Sequence, residues 1–465
     1  MKFLDAINDA LWGYVVIILL IGAAIYFTIR SRGAQFRLIG DALRIMVGRD
    51  KNPEVKSNGR RIGSFQAFAV SLASRVGTGN LAGVASAIFV GGPGAVFWMW
   101  LMALLGGATA FVEATLAQLY KRRGTHSFYG GPAYYMEHGL GKRWLGMLFS
   151  VFLMITFGIA NQIIQANTII DSLNDTFGWD KIVLGIVIGL FIFAIVAGGI
   201  VSISRFVSYI VPFMAIGFIA IALVVICINI GSLPHVFRLI FDSAFGVQQV
   251  GGGLIGVTVQ QGIKRGLFSN EAGEGSAPNA AAIAVTSHPV KQGAVQALGV
   301  FIDTIVICSC TAFIILLSPE LGSGADGILL TSRCLESEIG TAGKYFITAA
   351  IFLFAFSTMV SNYYYGENSI RHMTKKRAPV WAFRVLTAGT VMAGALLTLQ
   401  ESWAIIDIVM GILTVINVVS ILLLSGQAFK LLEDYMKQRR LGVKDPVFNK
   451  HVVFPEIEDK LEGWS

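Results

Sequence analysis

Seven consecutive residues, Ser74-Arg75-Val76-Gly77-Thr78-Gly79-Asn80, place an arginine, two glycines and an asparagine in the middle of an apolar stretch, 64–90. The stretch is long enough to cross a bilayer, which takes about 20 apolar residues. Glycine costs a helix about 1 kcal/mol relative to alanine, so two in three residues favour a local break. A break in lipid frees N–H and C=O groups, and these are tolerated only where they line a cavity or meet a ligand. Gly77, Thr78 and Gly79 would offer amides where the helix resumes. A helix N-terminus carries roughly half a positive charge and suits a carboxylate. The carbonyls of Ala73 and Val76, released before the break, suit a hard cation such as Na+. The competing reading is a packing face, where small residues let two helices approach.

Other polar residues in apolar runs extend this chemistry. Ser357 and Thr358 are adjacent hydroxyls that could complete an oxygen cage, or simply bond back to the preceding turn. Asn161 and Gln165 are four apart and share one helix face. Buried amides need a ligand or a partner helix. Asp303, beside Thr304, is a functional candidate because an intramembrane carboxylate is costly. It could equally pair with Arg75, which itself needs a partner or a water-filled vestibule. Glu271 and Glu274 fit an inner vestibule, or a solvated loop. Two G-x-G-x-x-G matches, Gly251-Gly253-Gly256 and Gly322-Gly324-Gly327, follow no predicted strand and imply no dinucleotide site. No phosphate-binding loop, nucleophile–base pair or metal-ligand spacing stands out, so the chain does not read as an enzyme.

The elements that must position these residues are membrane helices. The 465 residues are 55% hydrophobic and 14% charged, with mean hydropathy +0.68. Soluble domains carry about 25% charged residues. Hydropathy predicts an all-α polytopic membrane protein with eleven crossings: 11–29, 64–90, 94–120, 144–171, 182–200, 204–230, 250–286, 294–318, 344–366, 380–399 and 403–429. The middle of the basic connection 30–63 (residues 36–47) is amphipathic, and 231–249 reads as interfacial. The 250–286 segment loses helical character around Gly262 to Ser276 and is a second broken helix. Interruptions at matching positions of two five-helix sets point to an inverted repeat. The organisation is therefore an extra helix and basic connection at 1–63, repeats at 64–230 and 231–429, and a charged tail at 430–465. With the N-terminus outside, inner connections and tail hold thirty of the 36 Lys+Arg residues. That is the positive-inside pattern, so the net charge of +8 describes topology and not nucleic-acid binding.

Several motifs resemble the alanine or glycine:cation symporters, also called sodium:alanine symporters. They are 91-GGPGAVFWMW-100 continuing to Gly106, 76-VGTGNLAG-83, 265-RGLFSNEAG-273 and 363-YYYGE-367. The resemblance implies a leucine-transporter-like core of five plus five helices after one extra helix, in a cell membrane. It implies sodium-coupled uptake of alanine or glycine, without an organic cofactor. Gly77, Thr78, Gly79 and Asn80 would meet the substrate, with Asn161 and Gln165 facing it. An unwound part somewhere in Gln260 to Asn270, including Gly266 and Phe268, would face it too. Ala73, Val76, Ser357, Thr358 and the Phe354 carbonyl would hold sodium. Arg75 departs from the wider fold at a position that helps coordinate a second sodium, which favours one. Arg75, Asp303 and Glu271 remain candidates for gating or charge pairing. Composition does not separate alanine from glycine, because one methyl is worth only ~0.8 kcal/mol. Competing readings are a proton- or sodium-coupled carrier of another small solute on this fold, and a channel or sensor without transport.

Overall fold

In lipid only a helix or a closed barrel satisfies its own backbone, and apolar run after apolar run here folds as helix. The computed structural model describes residues 8–48, 62–124, 127–197, 199–246 and 252–464. Most of the basic connection, 49–61, lies outside the described residues. The chain opens with α1 (Asn8–Arg30) and two short helices, α2 (Ala34–Arg37) and α3 (Ile39–Val47). An interrupted pair follows, α4 (Ser64–Arg75) and α5 (Gly79–Gly91). Next come α6 (Ala95–Leu119), α7 (Pro132–His138), α8 (Arg143–Phe177), α9 (Lys181–Val196) and α10 (Gly199–Ile228). The amphipathic α11 (Leu233–Ala244) leads to a second interrupted pair, α12 (Gly252–Asn270) and α13 (Ala277–Ala282). The last elements of the bundle are α14 (Pro289–Leu317), α15 (Gly327–Ile339), α16 (Thr341–Met373), α17 (Ala378–Gly394) and α18 (Leu399–Arg440).

Among the described residues, seven helices are long and apolar enough to cross a membrane: α1, α6, α8, α10, α14, α16 and α18. The interrupted pairs and α9 are shorter pieces. α6 packs against α12 and α14, and α16 lies against α4, α8 and α10. Glycine sets the closest approach. A Cβ on Gly262 would stand 2.5 Å from the Ala95 carbonyl oxygen and 2.6 Å from Trp98 Cβ.

Four features differ from the expectations. The second helix does not unwind at Gly262; it continues to Asn270, because its glycines pack on α6 and do not break it. The 121–143 connection, expected as a loop, holds α7 and a short antiparallel hairpin, Arg122–Arg123 with Phe128–Tyr129. α15, between the expected crossings, is polar enough to escape a hydropathy scan. The tail after α18 folds back on the bundle. Phe448 N donates to Ser287 O at 2.9 Å, and Trp464 Nε1 donates to Gln118 O at 3.0 Å. Phe448, Phe454, Leu461 and Trp464 are buried, which a charge-rich sequence with no apolar run conceals.

Enlarging Gly262 should force α12 off α6, at about 1–3 kcal/mol for overpacking. Gly262→Leu is expected to lower the thermal unfolding midpoint of detergent-purified protein. Gly256→Leu, where no neighbouring atom lies within 4 Å of a Cβ, should leave it unchanged.

Candidate functional site

The first interruption begins where Val76 leaves helical geometry at φ −81°, ψ 90°. The Val76 amide still closes the last turn on Leu72 O at 2.8 Å, but the next two amides have no turn to join. Side chains take their place. Gly77 N donates to Asn80 Oδ1 at 2.9 Å, and Thr78 N donates to Gln165 Oε1 at 2.9 Å. Gln165 is in turn oriented by its Nε2 donating to Asn161 Oδ1 at 3.0 Å. The shared face of Asn161 and Gln165 thus points at the break. Gly77 has to be glycine: a Cβ would meet Thr358 Oγ1 and stand 2.8 Å from Gln165 Oε1. The Thr78 hydroxyl is buried and bonds nothing among the described residues.

The carbonyls on the other side of the break gather around one hydroxyl. Thr358 Oγ1 lies 2.7 Å from Ala73 O, 3.1 Å from Val76 O and 2.9 Å from Phe354 O. Ser357 Oγ is 2.9 Å from the same Phe354 oxygen. One hydroxyl owns one hydrogen, so it satisfies one of three carbonyls at a time. Ser357 also donates to the Phe354 carbonyl, so the oxygens of Ala73 and Val76 are the ones that share the single Thr358 hydrogen. All five residues singled out for sodium thus meet here, from α4, the break and α16.

Asp303 faces the opposite flank of the break. It is fully buried and accepts from Asn80 Nδ2 at 2.7 Å, Ser269 Oγ at 2.8 Å and Thr304 Oγ1 at 2.9 Å. All three donors are neutral. The direct Arg75–Asp303 pair is not formed: Arg75 Nη1 donates to Gln296 O at 3.2 Å, reaching α14 beside Gly299. Arg75 Nε and Nη2 have no partner among the described residues. Three helical runs with wider π turns, Gly79–Gly83, Thr156–Ala160 and Phe301–Cys308, adjoin or contain Asn80, Asn161 and Asp303. Such turns distort a helix locally and often mark functional positions.

Of the α12 residues, Phe268 stands against the break, 2.9 Å from where a Cβ of Gly79 would be. Gly266 packs on Met99 of α6, and Gln260 is half-buried further back along the helix. The second interruption itself spans 271–276. Glu271, Gly273 and Gly275 turn the chain there with φ of 56°, 96° and 85°. Glu271 and Glu274 are each 2% exposed and are not solvated loop carboxylates.

Sequence reasoning missed a charged and aromatic cluster packed against Phe268. Phe268 meets the edge of Trp403 at 4.8 Å, and the Arg265 guanidinium covers Trp403 at 3.7 Å. Arg265 grips Asp407 with two bonds of 3.0 Å, and Lys264 reaches the same carboxylate at 3.2 Å. Trp12 Nε1 adds a bond to Asp407 O at 2.9 Å. Lys264 and Arg265 sit within α12 near Asn8 and Trp12. The usable signal was opposite charge inside two apolar segments, 250–286 and 403–429.

Carbonyls, side-chain-capped amides and a buried carboxylate thus gather around one interrupted membrane helix. The chain belongs to the sodium:alanine symporter family, whose description matches residues 1–450. It is similar to the amino-acid carrier protein AlsT of Bacillus subtilis, 47% identical over 95% of this chain and 93% of that one. It is also similar to the probable sodium/glutamine symporter GlnT of the same organism, 44% identical over 98% of this chain and 94% of that protein. Its fold resembles the crystal structure of a manganese transporter from Eremococcus coleocola, with TM-score 0.53 at 13% identity over 86% of this chain and 85% of that chain. The protein is therefore a multi-pass membrane transporter of a sodium/amino-acid symport family, not an enzyme.

Sodium binding to the native state should protect the fold, by about 2.7 kcal/mol at a hundredfold excess over its dissociation constant. Thr358→Val keeps the side-chain shape and deletes the hydroxyl. It is expected to raise the sodium concentration for half-maximal thermal protection at least about tenfold, the equivalent of one lost ligand near 1.4 kcal/mol.

Proposed function

We propose that the protein is a secondary active symporter that carries one Na+ with one small neutral amino acid, alanine or glycine, by alternating access. The observation that carries this reading is the meeting of the Ala73, Val76 and Phe354 carbonyls at Thr358, directly beneath freed amides. Sodium there would neutralise those lone pairs and draw α4 toward α16. On substrate entry, Asn80 and Gln165 would give up the Gly77 and Thr78 amides to the substrate carboxylate, and the Thr78 hydroxyl would gain a partner. Asp303 supplies the opposite charge for the substrate ammonium. Phe268 against Gly79 leaves little room for a long side chain, which favours alanine or glycine. The name of the GlnT relative keeps glutamine as the second reading.

The same reading takes the seven long spans, the two interrupted pairs, α9 and α17 as eleven crossings. They form one extra helix and two five-helix inverted repeats in the leucine-transporter manner, with the N-terminus outside and the tail in the cytoplasm. Two interruptions in the two halves support it. The Arg265–Asp407 pair would then close the outer side, and alternating access would require its rupture.

Proteoliposomes holding the purified protein should concentrate labelled alanine under an inward sodium gradient and not under lithium or proton gradients. Unlabelled glycine should compete and glutamine should not. Absence of uptake under every cation gradient would refute the reading. Asp303→Asn should raise the half-saturating alanine concentration at least about tenfold, as expected when one member of a buried charge pair is neutralised.

A further inference from the structure

Glu271 is the first residue of the second interruption and holds φ at 56°, a conformation that a non-glycine residue rarely adopts. Residues held there are kept by surrounding contacts. Its side chain supplies them. Ser74 Oγ donates to one carboxylate oxygen, and Ser276 Oγ, at the far end of the same interruption, approaches the other at 2.5 Å. Ser74 Oγ is also 2.5 Å from Asn362 Oδ1. All four residues are buried.

The position of these partners decides what the bonds do. Ser74 follows Ala73, whose carbonyl faces Thr358. Asn362 lies four residues after Thr358, one turn further along the same face of α16. The carboxylate of Glu271 therefore holds Ser74 of α4 to the second interruption, and the same hydroxyl, with one hydrogen to give, abuts Asn362 of α16, so both elements around Thr358 meet the interruption at one point. A cation that drew α4 toward α16 would hold Ser74 beside Asn362 and keep Glu271 in place; its departure would free the contacts that fix the 271–276 turn.

We infer that Glu271 is the positioning residue that couples cation occupancy to the second interruption, and so to the amino-acid site beside Phe268 and Ser269. This rests on the symport reading above. It adds a claim that reading does not make: binding and coupling are separable at a residue that touches neither ligand. Coupling energies of this kind change affinity by roughly 5- to 150-fold.

The test uses full-length protein in proteoliposomes, with wild type, Glu271→Ala, Glu271→Gln and Ser74→Ala side by side. Two rates are read: accumulation of labelled alanine under a sodium gradient, and exchange of labelled for unlabelled alanine at equal, saturating sodium on both sides. In Glu271→Ala, accumulation is expected to fall more than fivefold relative to exchange, with the half-saturating sodium concentration raised by a similar factor. Ser74→Ala should show the same split more weakly, and Glu271→Gln, which keeps the acceptor oxygen, should lie between. Equal loss of both rates in Glu271→Ala and Ser74→Ala would assign Glu271 a structural role and overturn the inference. So would wild-type coupling in both variants. If wild type itself ignores the sodium gradient, the symport reading fails, and that outcome is visible before any variant is compared.

Discussion

Everything in this structure answers to the peptide groups that α4 and α5 leave without an i−4 partner inside the bundle. Water is scarce there, and an unpaired peptide group costs on the order of 1–3 kcal/mol. The fold meets that cost from three directions. Asn80 and Gln165 occupy the amides, Thr358 faces the carbonyls, and glycine at position 77 lets all of them come close. None of these is a permanent partner in the way a helix bond is. Side-chain amides rotate, and a threonine with one hydrogen leaves carbonyls to spare. The break is therefore stable without a ligand and improvable by one, which is the condition for a binding site that must also release.

Charge is handled differently at each level. Asp303 is surrounded by neutral donors and makes no ion pair among the described residues. Arg265 and Lys264 share the single carboxylate of Asp407, one positive charge in excess, with aromatic cover from Trp403 and Trp12. Breaking such a pair leaves an uncompensated buried charge, costing about 3–5 kcal/mol, unless both ends reach water together.

The first interruption could be read from sequence because its cause is local: Gly77 and Gly79 sit among strong membrane-helix formers. The amphipathic stretch before it and the interfacial α11 are legible for the same reason, since their periodicity lies within a dozen residues. The second interruption was placed too early. Gly262 and Gly266 look like breakers in the sequence, but they serve the α12–α6 contact, and that partner lies 167 residues away in the chain. The actual turn uses Glu271 in a left-handed conformation, which no local propensity announces. Arg75 and Asp303 were natural partners by charge alone. Their separation follows from the break, which turns one toward Gln296 and the other toward Asn80.

The docked tail has a practical side. Trp464 lies with its ring 4.0 Å from the Lys121 ammonium, and Arg122 meets Glu462 at 2.7 Å. Foreign sequence placed beside Trp464 would pull on a buried indole and on the foot of α6. The turn carrying Gly322 and Gly324 has open space around both residues, and is the gentler place to carry foreign sequence.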